Sequence, residues 1–388
     1  MRHRPISVLR SILLSAGLSV LAHVAAAQAP ASPNFKITVG GDAYFEAGFV
    51  DQKRDAGLRS SEFRNRLRLV ITPLAKTDSG LEYGARLRLR ANGNDRVTDA
   101  DRAFVFAQGS FGKLRGGVQN GLDDEVDLFM QAPLDWRVLV LHNQPLAYIG
   151  GGTSGADLPF SKTGFDWNDF NTIENNATKI AYYSPRAAGF QAAVDFTPRN
   201  DSNNTDVNRS KTGTGSAAST SIYQNLLEAG INFDDRIGPL ALKAFVSTIV
   251  GSAVDTPSVS YNDLRAWHIG GQIGLGVWSA GAGYMDVGKS GLSKAPATVS
   301  DRTRNLNAGF QYNDTVLAAG FQYQYGQDAG NLSIAGKRVL NSYTAGALYT
   351  IAPGLSVGGE YTWFHARSDM ANRDDQGSVA LLHTVLVF

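Results

Sequence analysis

The chain has 388 residues, 36 Lys and Arg against 35 Asp and Glu, and no cysteine. A charge balance this even excludes the concentrated basic surface of a nucleic-acid binder, and without cysteine no disulfide can staple the fold. The 42 glycines exceed the usual share of roughly 7%, and aromatics are plentiful, a composition that favours one large β-barrel over several ordinary domains.

The N-terminus reads Arg2, Arg4 and Arg10, then a mostly apolar run from Ser11 to Val24, then Ala25-Ala26-Ala27 before Gln28. That order is a secretory signal peptide with small residues before the cleavage point, so cleavage is expected after Ala27. A membrane-anchoring helix is the alternative, but the run is shorter than the roughly 18 residues a span needs. Removal takes three of the basic residues and no acidic ones, leaving 33 against 35 and a net charge of −2 on residues 28–388. No later segment has the length and hydrophobicity of a spanning helix.

From about residue 35 onward the chain alternates apolar and polar residues with period two, in segments of about ten. Between Asn305 and Tyr312, Leu306, Ala308, Phe310 and Tyr312 share one face while Asn305, Asn307, Gly309 and Gln311 share the other. The next segment repeats the pattern, with Leu317, Ala319, Phe321, Tyr323 and Tyr325 set against Ala318, Gly320, Gln322, Gln324 and Gly326. This is the signature of strands that turn one face to lipid and the other to a polar lumen. With turn residues as punctuation, strands are predicted near 35–50, 62–73, 80–91, 102–109, 112–120, 176–185, 188–197 and 222–235. The second half adds 238–250, 264–276, 277–288, 303–312, 315–327, 340–352, 354–367 and 377–388. The pattern predicts an all-β fold, a transmembrane antiparallel up-and-down barrel of about sixteen strands, the size at which the lumen becomes an aqueous channel.

Connections are expected to alternate in length. Short turns are expected at 185–189 and 234–239, and long polar loops at 200–220 and 289–302. The largest interruption, 121–175, mixes acidic, aromatic and glycine residues. A loop of that length inside a compact fold is uncommon and usually functional. It is expected to fold into the lumen, the alternatives being a small plug or an external loop.

The segment 62–71 places Arg64, Arg66 and Arg68 on one face and Phe63, Leu67, Leu69 and Ile71 on the other, and the next segment repeats this with Arg86, Arg88 and Arg90. Facing lipid, each arginine would cost roughly 2–4 kcal/mol near the midplane, so all six are expected to point inward. The long loop offers Asp123, Asp124, Glu125 and Asp127 as a counterweight. A cationic wall facing those carboxylates would set a transverse field across the narrowest part of a pore and govern which solutes pass. The alternatives are a merely solubilising lining for the arginines and an exposed turn for the acids. Tyr44, Phe49, Tyr182, Tyr183, Phe196, Trp267, Trp278, Tyr349, Tyr361 and Trp363 suit the aromatic girdles of the two membrane interfaces.

Arg102-Ala103-Phe104-Val105-Phe106 followed by 109–117 (GSFGKLRGG), and Lys179-Ile180-Ala181-Tyr182-Tyr183-Ser184-Pro185 with Gly189-Phe190-Gln191 and Phe196-Thr197-Pro198, resemble the strands flanking the third loop of the trimeric general porins of Gram-negative outer membranes. The resemblance covers essentially the whole chain after Ala27. It implies sixteen strands, a homotrimer in outer-membrane lipid and lipopolysaccharide, an inward third loop, and passive diffusion of ions and small hydrophilic solutes. It also implies that the terminal Phe388, after Val385-Leu386-Val387, is read by the barrel-assembly machinery, although Leu386 stands where the family often has an aromatic.

Other chemistries are weakly represented. Residues 283–290, GYMDVGKS, have the spacing of a phosphate-binding loop, but Gly291, Pro296 and a Ser/Thr-rich stretch follow instead of a helix. The six histidines show no metal-ligand pairing and no Gly-x-Ser-x-Gly elbow occurs. No cofactor is indicated. The rivals to a general pore are a substrate-specific channel with a saturable lumen site and an outer-membrane barrel enzyme.

Overall fold

A computed structural model describes residues 35–54, 57–92, 97–123, 148–149, 173, 176–215, 219–295, 302–329, 337–368 and 374–388. Among them run sixteen strands: β1 (Lys36–Gln52), β2 (Ser61–Lys76), β3 (Glu82–Asn92), β4 (Val97–Gly109), β5 (Gly112–Val118), β6 (Thr178–Tyr183), β7 (Phe190–Arg199) and β8 (Tyr223–Ile237). The chain continues through β9 (Leu240–Ala253), β10 (Leu264–Leu275), β11 (Trp278–Gly288), β12 (Thr303–Asn313), β13 (Leu317–Asp328), β14 (Arg338–Ala352), β15 (Leu355–Ser368) and β16 (Asp375–Val387).

Each strand neighbours the next in sequence, and β1 pairs antiparallel with β16 from Asp42 opposite Val387 to Gln52 opposite Gly377, so the barrel is closed. Closure leaves no unpaired edge, which is what a sheet needs to survive in hydrocarbon. The connections from β2 to β3, β4 to β5, β6 to β7, β8 to β9, β10 to β11, β12 to β13 and β14 to β15 are short and lie at one end. The β4–β5 turn requires glycine: Gly112 has φ +103°, and a Cβ there would sit 2.2 Å from the Tyr183 carbonyl oxygen. The long connections, including 200–222, lie at the other end. Phe388 joins the seam at the short-turn end, its N–H donating to Gly41 O at 3.1 Å and its carbonyl accepting from Gly41 N at 2.8 Å.

The predicted alternation sorts onto two faces. Phe45, Phe63, Leu67, Val105, Ile180 and Leu382 are exposed on the outer face, while Asn305, Asn307, Gln322, Ser342, Thr344 and Thr362 are buried on the inner face. An outer surface this apolar is that of a protein embedded in lipid. Aromatic pairs sit at both ends of it. Trp278 and Tyr312 lie 5.2 Å apart toward the short turns, and Trp267 and Tyr284 5.3 Å apart toward the long loops. Two predicted girdle residues do otherwise, because register sets them on the lumen face. Tyr44 is buried inside the barrel with the Arg66 guanidinium 5.0 Å from its ring, and Tyr183 is buried against Arg115.

One strand differs materially from its sequence expectation. β4 begins at Val97, not at residue 102, and takes in Asp99 and Asp101. These acids read as loop residues by polarity alone. Arg88 pairs with Arg102 and Leu89 with Ala100, so Asp101 is the extra residue of a β-bulge, a device that re-aims a side chain.

Candidate pore lining

All six predicted arginines lie on the inner face of β2 and β3, where Arg68 stands opposite Arg90. The structure supplies their counter-charges from the adjacent strands. Asp42 on β1 accepts from Arg66 Nη2 at 2.7 Å and from Arg68 Nε at 2.8 Å. Asp101 at the bulge accepts a two-pronged bond from Arg88, both contacts 2.7 Å, and lies 3.3 Å from Arg90. Asp99 is 3.8 Å from Arg90, and Glu46 on β1 is 3.9 Å from Arg64. With Arg102, which faces Arg88 from β4 and donates to the Asp101 carbonyl at 2.6 Å, seven guanidinium groups stand against four carboxylates and leave a patch of net +3.

The sequence reading missed Asp42, Glu46, Asp99 and Asp101 as partners. For Asp42 and Glu46 a signal was available. They share one face of β1, opposite Phe45 and Phe49, and a carboxylate on the lipid face is disfavoured, though less than an arginine. The register between β1 and β2, which sets Asp42 against Arg66 and Arg68, was not legible from alternation.

Of the four loop acids, Asp124, Glu125 and Asp127 lie outside the described residues. Asp123 is described and fully buried on the inner wall. It accepts a hydrogen bond from Ser247 Oγ on β9 and pairs with His268 Nδ1 on β10 at 2.8 Å. The neighbouring backbone N–H groups of Leu122 and Asp123 donate to Glu228 on β8 at 2.9 and 2.8 Å. Serine, histidine and aspartate together suggest a hydrolase, but here the hydroxyl donates to the carboxylate and not to the imidazole. That geometry does not activate a nucleophile. Asp123 is a fastening between the start of the long connection and the wall.

A second fastening lies half-way round the barrel. Tyr148 donates to Glu46 Oε1 at 2.7 Å, its ring lies over Gly48, where a Cβ would come within 2.1 Å of it, and Arg64 sits 6.0 Å from the ring centre. Ile149 packs on Leu340, Phe364, Val379 and Leu381 of β14–β16. Burial, and then the Glu46 carboxylate, push the Tyr148 hydroxyl well above the ordinary tyrosine range, so it is held as a donor. Glu46 also meets His383 Nδ1 at 3.0 Å, and His383 Nε2 is 4.0 Å from Glu360. Ile173 packs on Tyr223, Leu226, Ile249 and Met285 at the inner face of β8–β11.

Below the arginines, toward the short turns, the inner wall of β4–β6 is aromatic and cationic. The Arg115 guanidinium lies 5.0 Å from the Phe104 ring centre and 5.2 Å from that of Tyr183, and Lys113 Nζ lies 5.6 Å from that of Phe106.

A family model described as Gram-negative porin matches residues 14–369. Among curated relatives, an uncharacterised protein of Rickettsia bellii is 23% identical across 92% of this chain and 94% of its own length. A second, from Rickettsia conorii, is 23% identical across 98% of this chain and its whole length. Among solved structures, a loop-deletion form of OmpT, an outer membrane protein of Vibrio cholerae, superposes with a TM-score of 0.60 at 12% identity, covering 91% of this chain and 99% of that one. A mutant of the Rh. blastica porin superposes at 0.55 with 17% identity, covering 91% of this chain and all of that one.

Proposed function

The chain belongs to the Gram-negative porin family, and from that premise we propose that it forms a water-filled outer-membrane channel for ions and small hydrophilic solutes, narrowed beside the β2–β3 arginines. The inward placement of all six arginines on two adjacent strands carries this reading. Guanidinium groups stay charged at any relevant pH, and charged rings set pore selectivity. The long third loop narrows the lumen in this proposal, a role supported by the fastening of Asp123 on β8–β10 and of Tyr148 and Ile149 on β1 with β14–β16. Asp124, Glu125 and Asp127 are assigned the acidic side of the constriction in this proposal, while Asp123 serves as anchor.

The same reading has residues 1–27 removed on export and residues 28–388 forming one domain. Three copies assemble in outer-membrane lipid and lipopolysaccharide, and the assembly machinery reads Phe388. The test is single-channel recording of an Arg66→Ala, Arg88→Ala double variant. Asp42 keeps Arg68 and Asp101 keeps Arg90, so the barrel should fold while the wall loses two positive charges and selectivity moves toward cations. Unchanged reversal potentials would sink the constriction.

A further inference from the structure

We propose that the inner wall of β3–β5 binds small organic anions with an apolar body, aromatic carboxylates foremost, the Phe106 ring taking the body and Arg86 or Lys113, one on either side of it, the carboxylate. This names a solute class for the channel proposed above and rests on that reading.

The starting observation is a phenylalanine where a polar lumen would place a polar residue. Phe106 has the parity of Phe104 and Arg102, opposite to the outward Val105, and pairs with Arg115, so its ring is inside the barrel. It is only partly buried. The ring reaches over the wall toward β3, since a Cβ on Gly84 would lie 3.1 Å from Phe106 Cζ. Gly84 stands opposite Phe106 and Arg86 opposite Phe104, which puts Arg86 on β3 one inward position further from the short turns than the residue facing the ring. Lys113 is on the other strand flanking it.

Phe104 and Arg115 are buried behind this surface, with Arg115 held between two aromatic rings. They fix the platform and add positive charge without themselves being reachable. The nearest inward acid, Glu82, is occupied by Lys76 at 3.0 Å and by Gln108 at 2.6 Å, so it repels an incoming carboxylate less than a bare one would.

A ring bounded by an arginine and a lysine satisfies both halves of an aromatic carboxylate. Guanidinium matches a carboxylate in a two-pronged geometry, and aromatic faces attract each other beyond simple area burial. An inorganic anion uses only the charges and a neutral aromatic only the ring. Binding must remain weak enough to release the solute on the far side.

The test records KCl conductance of the full protein in planar bilayers while sodium benzoate, sodium acetate or benzyl alcohol is added. Benzoate should block saturably, with a half-blocking concentration at least ten-fold below that of acetate or benzyl alcohol. In Phe106→Ala, and in Phe106→Thr should the alanine variant fail to fold, the benzoate-to-acetate preference should fall at least five-fold. In Arg86→Gln, benzoate block should weaken while any benzyl alcohol block stays put. Equal block by benzoate and acetate in a channel that conducts KCl overturns the site and leaves the channel standing. The same holds if the preference survives in a folded Phe106 variant. Absence of any KCl conductance from folded protein overturns the channel, and the site with it.

Discussion

If Asp42 and Asp101 supply half of the carboxylate charge that offsets the arginine patch, an Asp42→Asn, Asp101→Asn variant should carry two more positive charges on the same wall, +5 in place of +3. Asparagine still accepts through its Oδ1, so Arg66 or Arg68, and Arg88, each keep a hydrogen-bond acceptor and the strands keep their register. Two added unit charges about 10 Å from a permeating ion are worth about 0.8 kcal/mol in bulk-water dielectric. One Debye length of screening at 0.1 M salt reduces this to about 0.3 kcal/mol, a factor of about 1.7 in local ion concentration. Anions are enriched and cations depleted by the same factor, so the anion-to-cation permeability ratio should rise about three-fold at 0.1 M. At 1 M, where the screening length is about 3 Å, the change should all but vanish. Reversal potentials under a KCl gradient, repeated at the two salt levels, measure this directly. A ratio that does not move at 0.1 M, that moves toward cations, or that changes equally at 1 M would refute the charge accounting.

Other perturbations probe the fastenings. Asp123→Ala removes the hydrogen-bond partner of the wholly buried His268 Nδ1 and of Ser247 Oγ, a loss that costs about 1–3 kcal/mol for a buried polar group, to be read from guanidinium unfolding in detergent micelles. A change below about 1 kcal/mol would mean that Asp123 is no anchor. Gly48→Ala puts a methyl group into the Tyr148 ring and should raise open-channel noise, with Tyr148→Phe raising it less because only the hydrogen bond to Glu46 is lost. Since the Tyr148 hydroxyl is pushed upward, the folded state favours its neutral form. That contribution is complete below the ordinary tyrosine pKa of about 10 and is lost as pH rises past it, so Tyr148→Phe should narrow its stability deficit only in strongly alkaline solution. Deleting Phe388 removes both backbone bonds to Gly41 and should lower the yield of folded barrel on export, scored by heat-modifiable migration in gels. Normal yield would deny the terminal residue a role in assembly.

Sixteen strands could be read along the chain because a membrane barrel writes its two solvents into alternate residues. Phe310 faces lipid and Asn307 the lumen for the same reason that leucine and lysine part company on an amphipathic helix. The arginine wall was legible by the same logic, since an error of one residue would have set six guanidinium groups in hydrocarbon. What alternation cannot carry is which residues face one another across a seam. Asp42 and Arg68 meet only in the particular register that β1 and β2 adopt, and Asp42 stands opposite Val387 only because the barrel closes. His268 meets Asp123 across 145 positions of sequence.

The bulge at Asp101 shows how far this matters for function. By pattern, an acidic stretch ahead of Arg102 reads as loop, and the six arginines then stand as an unrelieved cationic face needing the distant loop for balance. With Asp101 turned inward by one extra residue, most of that balance is struck on the wall itself, within 4 Å of the guanidinium groups. The long connection is thereby released from neutralising the arginines. Its first carboxylate is taken by His268, and in the proposed channel its remaining acids tune a field whose mean β1 and β4 set. A channel built this way should keep much of its selectivity when Asp124, Glu125 and Asp127 are neutralised together and lose it when Asp42 and Asp101 are. The opposite ranking of reversal potentials would return the governing role to the loop.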